Sequence, residues 1–249
     1  MTRALDGKSV VVTGASSGIG AAVVGALVAE GARTTIGARR VERLETLARE
    51  VDRSGDRVAV VRTDMRAEGD VVRLIATARD RFGGVDALVN NAGLGRNAPI
   101  SSAETELWRE MLEVNVLGLL VATREAIRDM ERRGVAGHVV HVSSMAGHRV
   151  PGPDSAVYAG TKFAVRAITE GLRQELRARK SAIRVSCVSP GYVDTEFADV
   201  FVGPGGTPQA PAIKQLEATD VAGAVVWILT QPSHVEVHDV LVRPTAQRN

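Results

Sequence analysis

Cysteine, aromatic residues and long apolar runs are all scarce in this sequence. Cys187 is the only cysteine, which excludes an internal disulfide and any multi-cysteine zinc site and fits a reducing compartment. Four Phe, two Trp and two Tyr among 249 residues are too few for a stacking platform that would hold single strands or carbohydrate. Lys plus Arg number 31 against 29 Asp plus Glu, a formal net charge of +2. So small an excess gives no footprint for nucleic acid. The longest strongly apolar helix candidate, residues 221–229, is about half of the ~20 residues that span a bilayer, so no membrane partner is expected. The first apolar run, Val10-Val11-Val12, starts too early for a secretory signal to precede it. These absences predict a soluble, cytoplasmic protein.

The composition itself, 45% apolar and 24% charged, is that of a globular chain rather than a disordered one. There is no internal repeat. Short β-branched runs alternate with longer Ala/Leu/Arg/Glu stretches. The runs lie at 9–13, 33–37, 57–64, 87–90, 137–143, 183–188 and 238–243. Several, such as Val58-Ala59-Val60-Val61, read as strands buried on both faces, the mark of a parallel sheet with helices on either side. The spacers keep helical periodicity: in 41–51, Leu44, Leu47, Ala48 and Val51 share one face. The expected fold is α/β: a single doubly wound, Rossmann-type domain over 1–249, with seven parallel strands and helices on both faces. The stretch 203–211, with three Gly and three Pro, reads as a loop or lid rather than a boundary.

The first strand runs into Thr13-Gly14-Ala15-Ser16-Ser17-Gly18-Ile19-Gly20 and then a helical stretch. Glycines there allow a tight turn and close approach of the backbone to a pyrophosphate, while the helix N-terminus offers unpaired N–H groups and a positive dipole end. The spacing is Gly-x-x-x-Gly-x-Gly. Further on come Asn90-Asn91-Ala92-Gly93, a mid-helix Asn115, Ser143-Ser144, Tyr158 with Lys162 four residues later, and Pro190-Gly191. In that order and over nearly the whole length, the chain resembles the short-chain dehydrogenase/reductase family.

The resemblance implies a nicotinamide cofactor held along Gly14, Ser16, Ser17, Gly18, Ile19, Gly20, Asp64, Met65, Asn91, Ala92, Gly93, Tyr158, Lys162, Pro190, Gly191, Val193 and Thr195. At the end of the second strand the chain reads Ala38-Arg39-Arg40, with no acid before Glu42. A carboxylate there would hold ribose hydroxyls and repel a 2′-phosphate, whereas guanidinium pairs with the phosphate. The cofactor expected is therefore NADP(H), with Arg39 ahead of Arg40. The plainer reading of both arginines is a solvated helix start. Asp64 would lie near the adenine or cap the helix at 67–82, or both. Thr195 would donate to the nicotinamide carboxamide or cap the helix at 196–200.

Tyr158 and Lys162 fall on one helix face, about one turn apart. A nearby ammonium and a cationic nicotinamide would favour phenolate, bringing a phenol with pKa near ~10 toward the working range. The resemblance makes Asn115, Ser144, Tyr158 and Lys162 the catalytic set. Tyr158 exchanges the proton, Ser144 holds the substrate oxygen, and Lys162 also bonds the nicotinamide ribose. Asn115 holds a water, or else makes a plain helix-to-helix hydrogen bond. Ser144 precedes Tyr158 by fourteen residues, one more than the family's usual spacing, and Ser143 is the fallback. The extra residue is assigned to the 151–153 loop.

A small-molecule carbonyl or alcohol substrate is expected, bounded by Leu94, Gly95, Arg96, Ser144, Ala146, His148, Pro153 and Tyr192 and covered by residues 195–218, with Phe197, Phe201 and Val202. The ending Val240-Leu241-Val242-Arg243-Pro244-Thr245 resembles a subgroup that includes reductases of aldehydes and small hydroxy acids. The family's helices equivalent to 107–130 and 158–180 imply a homodimer or homotetramer. No metal is expected: His234, Glu236 and His238 alternate on a would-be strand without a known ligand spacing. His138 and His141 face opposite ways, and Cys187 reads as core. The competing functions are an NADP(H)-binding regulator that is catalytically silent and an NAD-preferring alcohol dehydrogenase.

Overall fold

The computed structural model describes residues 3–202 and 212–248. Its seven strands are β1 (Ser9–Thr13), β2 (Arg33–Ala38), β3 (Val58–Arg62), β4 (Ala87–Asn90), β5 (His138–Val142), β6 (Arg184–Pro190) and β7 (Asp239–Val242). All pair in parallel, in the order β3-β2-β1-β4-β5-β6-β7. The chain winds outward from β1 to β3, then returns to the other side of β1 at β4. Carboxyl ends of β1 and β4 diverge there into loops, and that switch point is where such sheets bind ligands.

Period-two alternation in β1 divides the core between the sheet faces. Val10 and Val12 pack with Val23, Val24 and Leu27 of α1 (Gly18–Ala29) and with Val221, Val225 and Ile228. The last three belong to a helix at Ala218–Leu229. Val11 points the other way, toward Leu74 and Ile75 of a helix at Glu68–Phe82, and toward Ile127, Met130 and Leu176. β1 is buried at every residue, as its run of valines predicts. β3 is not buried on both faces: Ala59 and Val61 are buried while Val58 and Val60 are half-buried, because β3 is the edge of the sheet.

The remaining helices are α2 (Val41–Val51), α3 (Glu68–Phe82), α4 (Thr105–Leu112), α5 (Leu119–Arg133), α6 (Ala156–Ala178), α7 (Phe197–Val202) and α8 (Ala218–Leu229). The expected continuous helix at 107–130 is α4 and α5 joined by a π-helical turn, Glu113–Gly118. The wide turn holds Asn115, and Gly118 in it brings the helix against Met65, where a Cβ would stand 2.5 Å from the Met65 carbonyl oxygen. Such turns recur at functional sites.

The segment 234–238 is not strand; β7 starts at Asp239. Glu236 accepts the Val185 N–H at 2.8 Å, and His238 Nε2 lies 3.2 Å from Glu170. Among the described residues no group of three or more His, Cys, Asp or Glu side chains could hold a metal ion. No helix among them is long and apolar enough to cross a membrane.

Candidate active site

A cleft of about 1380 Å³ opens over the β1–β4 switch point. Its floor is the glycine loop. Gly14 has φ of +67°, and a Cβ there would lie 2.6 Å from Ala92 Cα, so only glycine lets the β4 loop close onto β1. Asn91 fastens that contact: its Nδ2 donates to the carbonyls of Thr13 and Gly14, each at 3.1 Å. Gly20 does not line the cleft; a Cβ there would collide with the Gly14 carbonyl, so its part is to seat α1 against β1. The first turn of α1 carries no acidic residue. Its N–H groups and dipole therefore face the cleft with no acid of their own turn to repel an anion.

The donor set fits a dinucleotide. Ser16, Ser17, Gly18 and Ile19 line the cleft at one end, Asp64, Met65, Ala92 and Gly93 along its side, and Pro190, Gly191, Val193 and Thr195 opposite. Arg39 and Arg40 border it at the end of β2. Arg40 is engaged: it donates to Ser16 and Ser17, the latter at 2.7 Å, and pairs with Glu196 at 3.0 Å. Asp64 does not cap α3. Its carboxylate accepts the backbone N–H and the guanidinium of Arg66, and its pKa is lowered chiefly by Arg66, with Arg39 adding to the effect. Thr195 Cγ2 would touch a Cβ on Gly18 at 3.1 Å, and its hydroxyl accepts the Phe197 N–H at 3.4 Å, a long cap for α7.

Ser144, Tyr158 and Lys162 converge at the other end of the cleft. Tyr158 is 8% and Lys162 5% exposed. Lys162 Nζ stands 5.9 Å from the Tyr158 ring centroid and donates to the Val142 carbonyl at 3.0 Å. Among the protein's own groups burial dominates. It pushes the phenol up to about 12, against a smaller downward pull from Ser144, and pushes the ammonium down to about 8. The expected lowering of the phenol joins the ammonium to a cationic nicotinamide; in the protein alone, burial of the charged form sets the direction.

Ser143 and Ser144 separate cleanly. Ser143 is buried with its hydroxyl donating to the Lys162 carbonyl at 3.1 Å. Ser144 is half-buried on the cleft, starts the turn Met145–Gly147 and accepts the Ala146 N–H. The longer spacing to Tyr158 runs through a 3₁₀ turn, Pro153–Ser155, that abuts α6. Asn115 uses its amide on protein: Nδ2 donates to the Leu94 carbonyl at 2.7 Å and Thr161 Oγ1 at 2.9 Å, and Oδ1 accepts the Leu94 N–H at 2.7 Å. Its side chain thus ties the loop after β4 to α6.

Of the expected substrate contacts, Leu94, Ser144, Ala146, Pro153 and Tyr192 line the cleft. His148 does not; its ring turns to Ser189 Oγ at 3.0 Å on β6. Arg96 supports the cover from outside, donating to the Val200 carbonyl at 2.6 Å. Gly95 lies under the cover: a Cβ would be 2.5 Å from Phe201 and 2.8 Å from Phe197. Those rings sit 5.3 and 5.7 Å from the Tyr158 ring. The ends of the expected lid meet, with Asp194 N–H donating to the Leu216 carbonyl and Leu216 N–H to the Tyr192 carbonyl; its middle, 203–211, lies outside the described residues.

Sequence reasoning missed Arg43, Glu196 and Gln247. Arg43 is one turn beyond Arg40 on α2 and pairs with Glu196 at 2.7 Å. Gln247 accepts the Tyr192 N–H at 3.1 Å and lines the cleft. The i, i+3 arginines were a visible signal; nothing local marks the other two.

Residues 8–202 match the short chain dehydrogenase family. The dehydrogenase/reductase SDR family member 11 of Bos taurus is 44% identical over 246 residues, 95% of this chain and 96% of that protein. The farnesol dehydrogenase of Aedes aegypti is 40% identical over 97% of this chain and 98% of its own length. Among solved structures, the closed form of a serine dehydrogenase complexed with NADP+ superposes with a TM-score of 0.89 at 32% identity, covering 97% of this chain and 96% of that one.

Proposed function

The chain belongs to the short-chain dehydrogenase family, an oxidoreductase family, and from that premise we propose that it is an NADP(H)-dependent carbonyl reductase or alcohol dehydrogenase. The single observation that carries the reading is Tyr158 between Ser144 and Lys162 at the deep end of a cleft whose other end is a glycine loop edged with arginines. The cofactor supplies, when bound, a hydride donor or acceptor at nicotinamide C4. Arg39 and Arg40, with Ser16 and Ser17, are the donors for a 2′-phosphate. A serine dehydrogenase bound to NADP+ and an alcohol dehydrogenase of Thermococcus sibiricus bound to 5-hydroxy-NADP, among its structural neighbours, favour the same cofactor.

Tyr158 supplies the proton. A phenol held at about 12 is protonated at neutral pH, so it stands ready to give its proton to a carbonyl oxygen as hydride reaches the carbon. The Ser144 hydroxyl orients that oxygen and stabilises its developing charge. Lys162 holds its ammonium 5.9 Å from the centre of the Tyr158 ring, where a positive charge opposes the cost of phenolate. Phe197, Phe201 and Leu94 give the substrate end an apolar wall, which suits a small to medium carbonyl or alcohol with an apolar body. A farnesol dehydrogenase among the relatives agrees with that class. Leu112, Leu117, Leu120 and Phe163 are exposed on α4, the π turn, α5 and α6, which favours self-association through these helices into a dimer or tetramer. The location proposed is the cytoplasm.

Tyr158→Phe tests the chemistry. It removes the proton donor and leaves the ring, so turnover of a carbonyl panel with NADPH should fall by about 10²–10⁴ while NADPH binding, followed by its fluorescence, persists. Undiminished turnover refutes the assigned acid. A wild type that binds NADPH yet reduces no carbonyl points instead to a silent binding protein.

A further inference from the structure

The donors nearest the expected 2′-phosphate are already in use. Arg40 directs Nε and Nη2 to Ser16, Nη2 also to Ser17, and Nη1 to Glu196. Arg43 places Nη1 against both Glu196 oxygens, at 2.7 and 2.8 Å. Arg39, by contrast, has no hydrogen bond or ion pair among the described residues. The Glu196 carboxylate is ionised at neutral pH, since Arg43 and Arg40 both lower its pKa. It comes from the far wall of the cleft, next to Thr195, which meets the glycine loop at Gly18. A carboxylate and a phosphate monoester ask the same of a guanidinium: anionic oxygens accepting paired, charge-assisted bonds.

We propose that Glu196 is an internal competitor for the cofactor's 2′-phosphate, occupying Arg40 and Arg43 until the phosphate displaces it, and that Arg43 belongs to the phosphate site. The proposal rests on the NADP(H) reading and deepens it. NAD(H), with a bare ribose hydroxyl in that place, has no charge with which to take Arg40 or Arg43 from Glu196. Glu196 therefore narrows the margin by which NADP(H) is preferred. The side chains involved are 45–48% exposed, so the effect is modest and salt-sensitive.

Glu196→Gln keeps the shape and removes the charge. Dissociation constants for NADPH and NADH, measured by nicotinamide fluorescence on wild type and variant, decide the matter. At low salt NADPH should bind about fivefold tighter to the variant, with NADH within about twofold, and the gain should shrink at about 0.5 M salt. Arg43→Ala should do the reverse, weakening NADPH and sparing NADH. Parallel changes for both cofactors in Glu196→Gln overturn the proposal, since they mark a strap that closes over either dinucleotide. An unchanged or weakened NADPH affinity overturns it too. The wild-type ratio tests the NADP(H) reading separately: equal binding of NADH defeats that reading, whereas the change in ratio on substitution judges Glu196.

Discussion

Lys162 is costly to hold charged, and the cost has a pH signature. The side chain is 5% exposed, and burial moves its pKa from the ordinary 10.5 to about 8. At pH 7 folding must take a charged ammonium into that site, a penalty of about 3 kcal/mol at about 1.36 kcal/mol per pH unit. Between pH 8 and 10.5 the unfolded chain keeps the proton that the folded chain releases, so wild-type stability rises with pH over that window. By pH 10 the penalty has fallen below about 1 kcal/mol. Lys162→Met removes it. The variant also loses the bond to the Val142 carbonyl, worth about 1 kcal/mol, but equally at every pH. Urea unfolding of both proteins at pH 7 and pH 10 isolates the charge. Relative to wild type, the variant should be about 2–3 kcal/mol better off at pH 7 than at pH 10, although turnover is lost. A stability difference that is the same at both pH values would show that Lys162 is not desolvated, and the reasoning from burial would fall with it.

Gly95→Ala should push the α7 rings off Tyr158, since the new Cβ would stand 2.5 Å from Phe201 Cδ2 and 2.8 Å from Phe197 Cζ. Steady-state kinetics should show KM for an apolar carbonyl raised by about threefold to tenfold, as ~1 kcal/mol of packing is lost; NADPH affinity should hold. An unaltered KM would show that the cover is not seated as described. His138 and His141 are both pushed down to about 3 by burial and remain neutral in the fold, whereas the unfolded chain protonates them near ~6.5. Their contribution is complete above that value and is lost as the pH falls, by about 2 kcal/mol each at pH 5. Urea unfolding at pH 7.5 and pH 5 measures the loss, and equal stabilities would refute it.

What the sequence made legible was local. The glycine loop announces itself because a strand, a turn and a helix start are adjacent in the chain, and Tyr158 and Lys162 because four residues make one helical turn. The buried valines of β1 could be read directly, but those of β3 could not be told from a central strand. Edge and centre are set by strand order, which Val58-Ala59-Val60-Val61 does not encode. The π turn around Asn115 escaped notice because one inserted residue hardly disturbs the apolar periodicity of α4 and α5. His148 was misplaced because the direction of a loop side chain depends on what the loop packs against. Arg43 and Glu196 are 153 residues apart, and only the closed fold brings them together. The phenol's burial was hidden for a related reason: spacing names the neighbour but not what covers the pair.

That burial includes an aromatic cover. Of the few aromatic side chains in the chain, Tyr158, Phe197 and Phe201 meet in one cluster, with ring separations of 5.3 to 6.0 Å. The phenyl rings are part of the apolar cluster that buries the phenol, and burial holds it protonated, the form in which it can act as an acid. The same rings follow directly after Glu196 in the chain. A cofactor phosphate that takes Arg40 and Arg43 from Glu196 would therefore loosen the start of α7, the element that dries Tyr158. If Glu196 yields its arginines to the phosphate, recognition at one end of the cleft would reach the proton donor at the other through a single short helix. Its sequence, Glu196-Phe197 at the start and Phe201 one turn on, places a charge toward one site and two rings over the other.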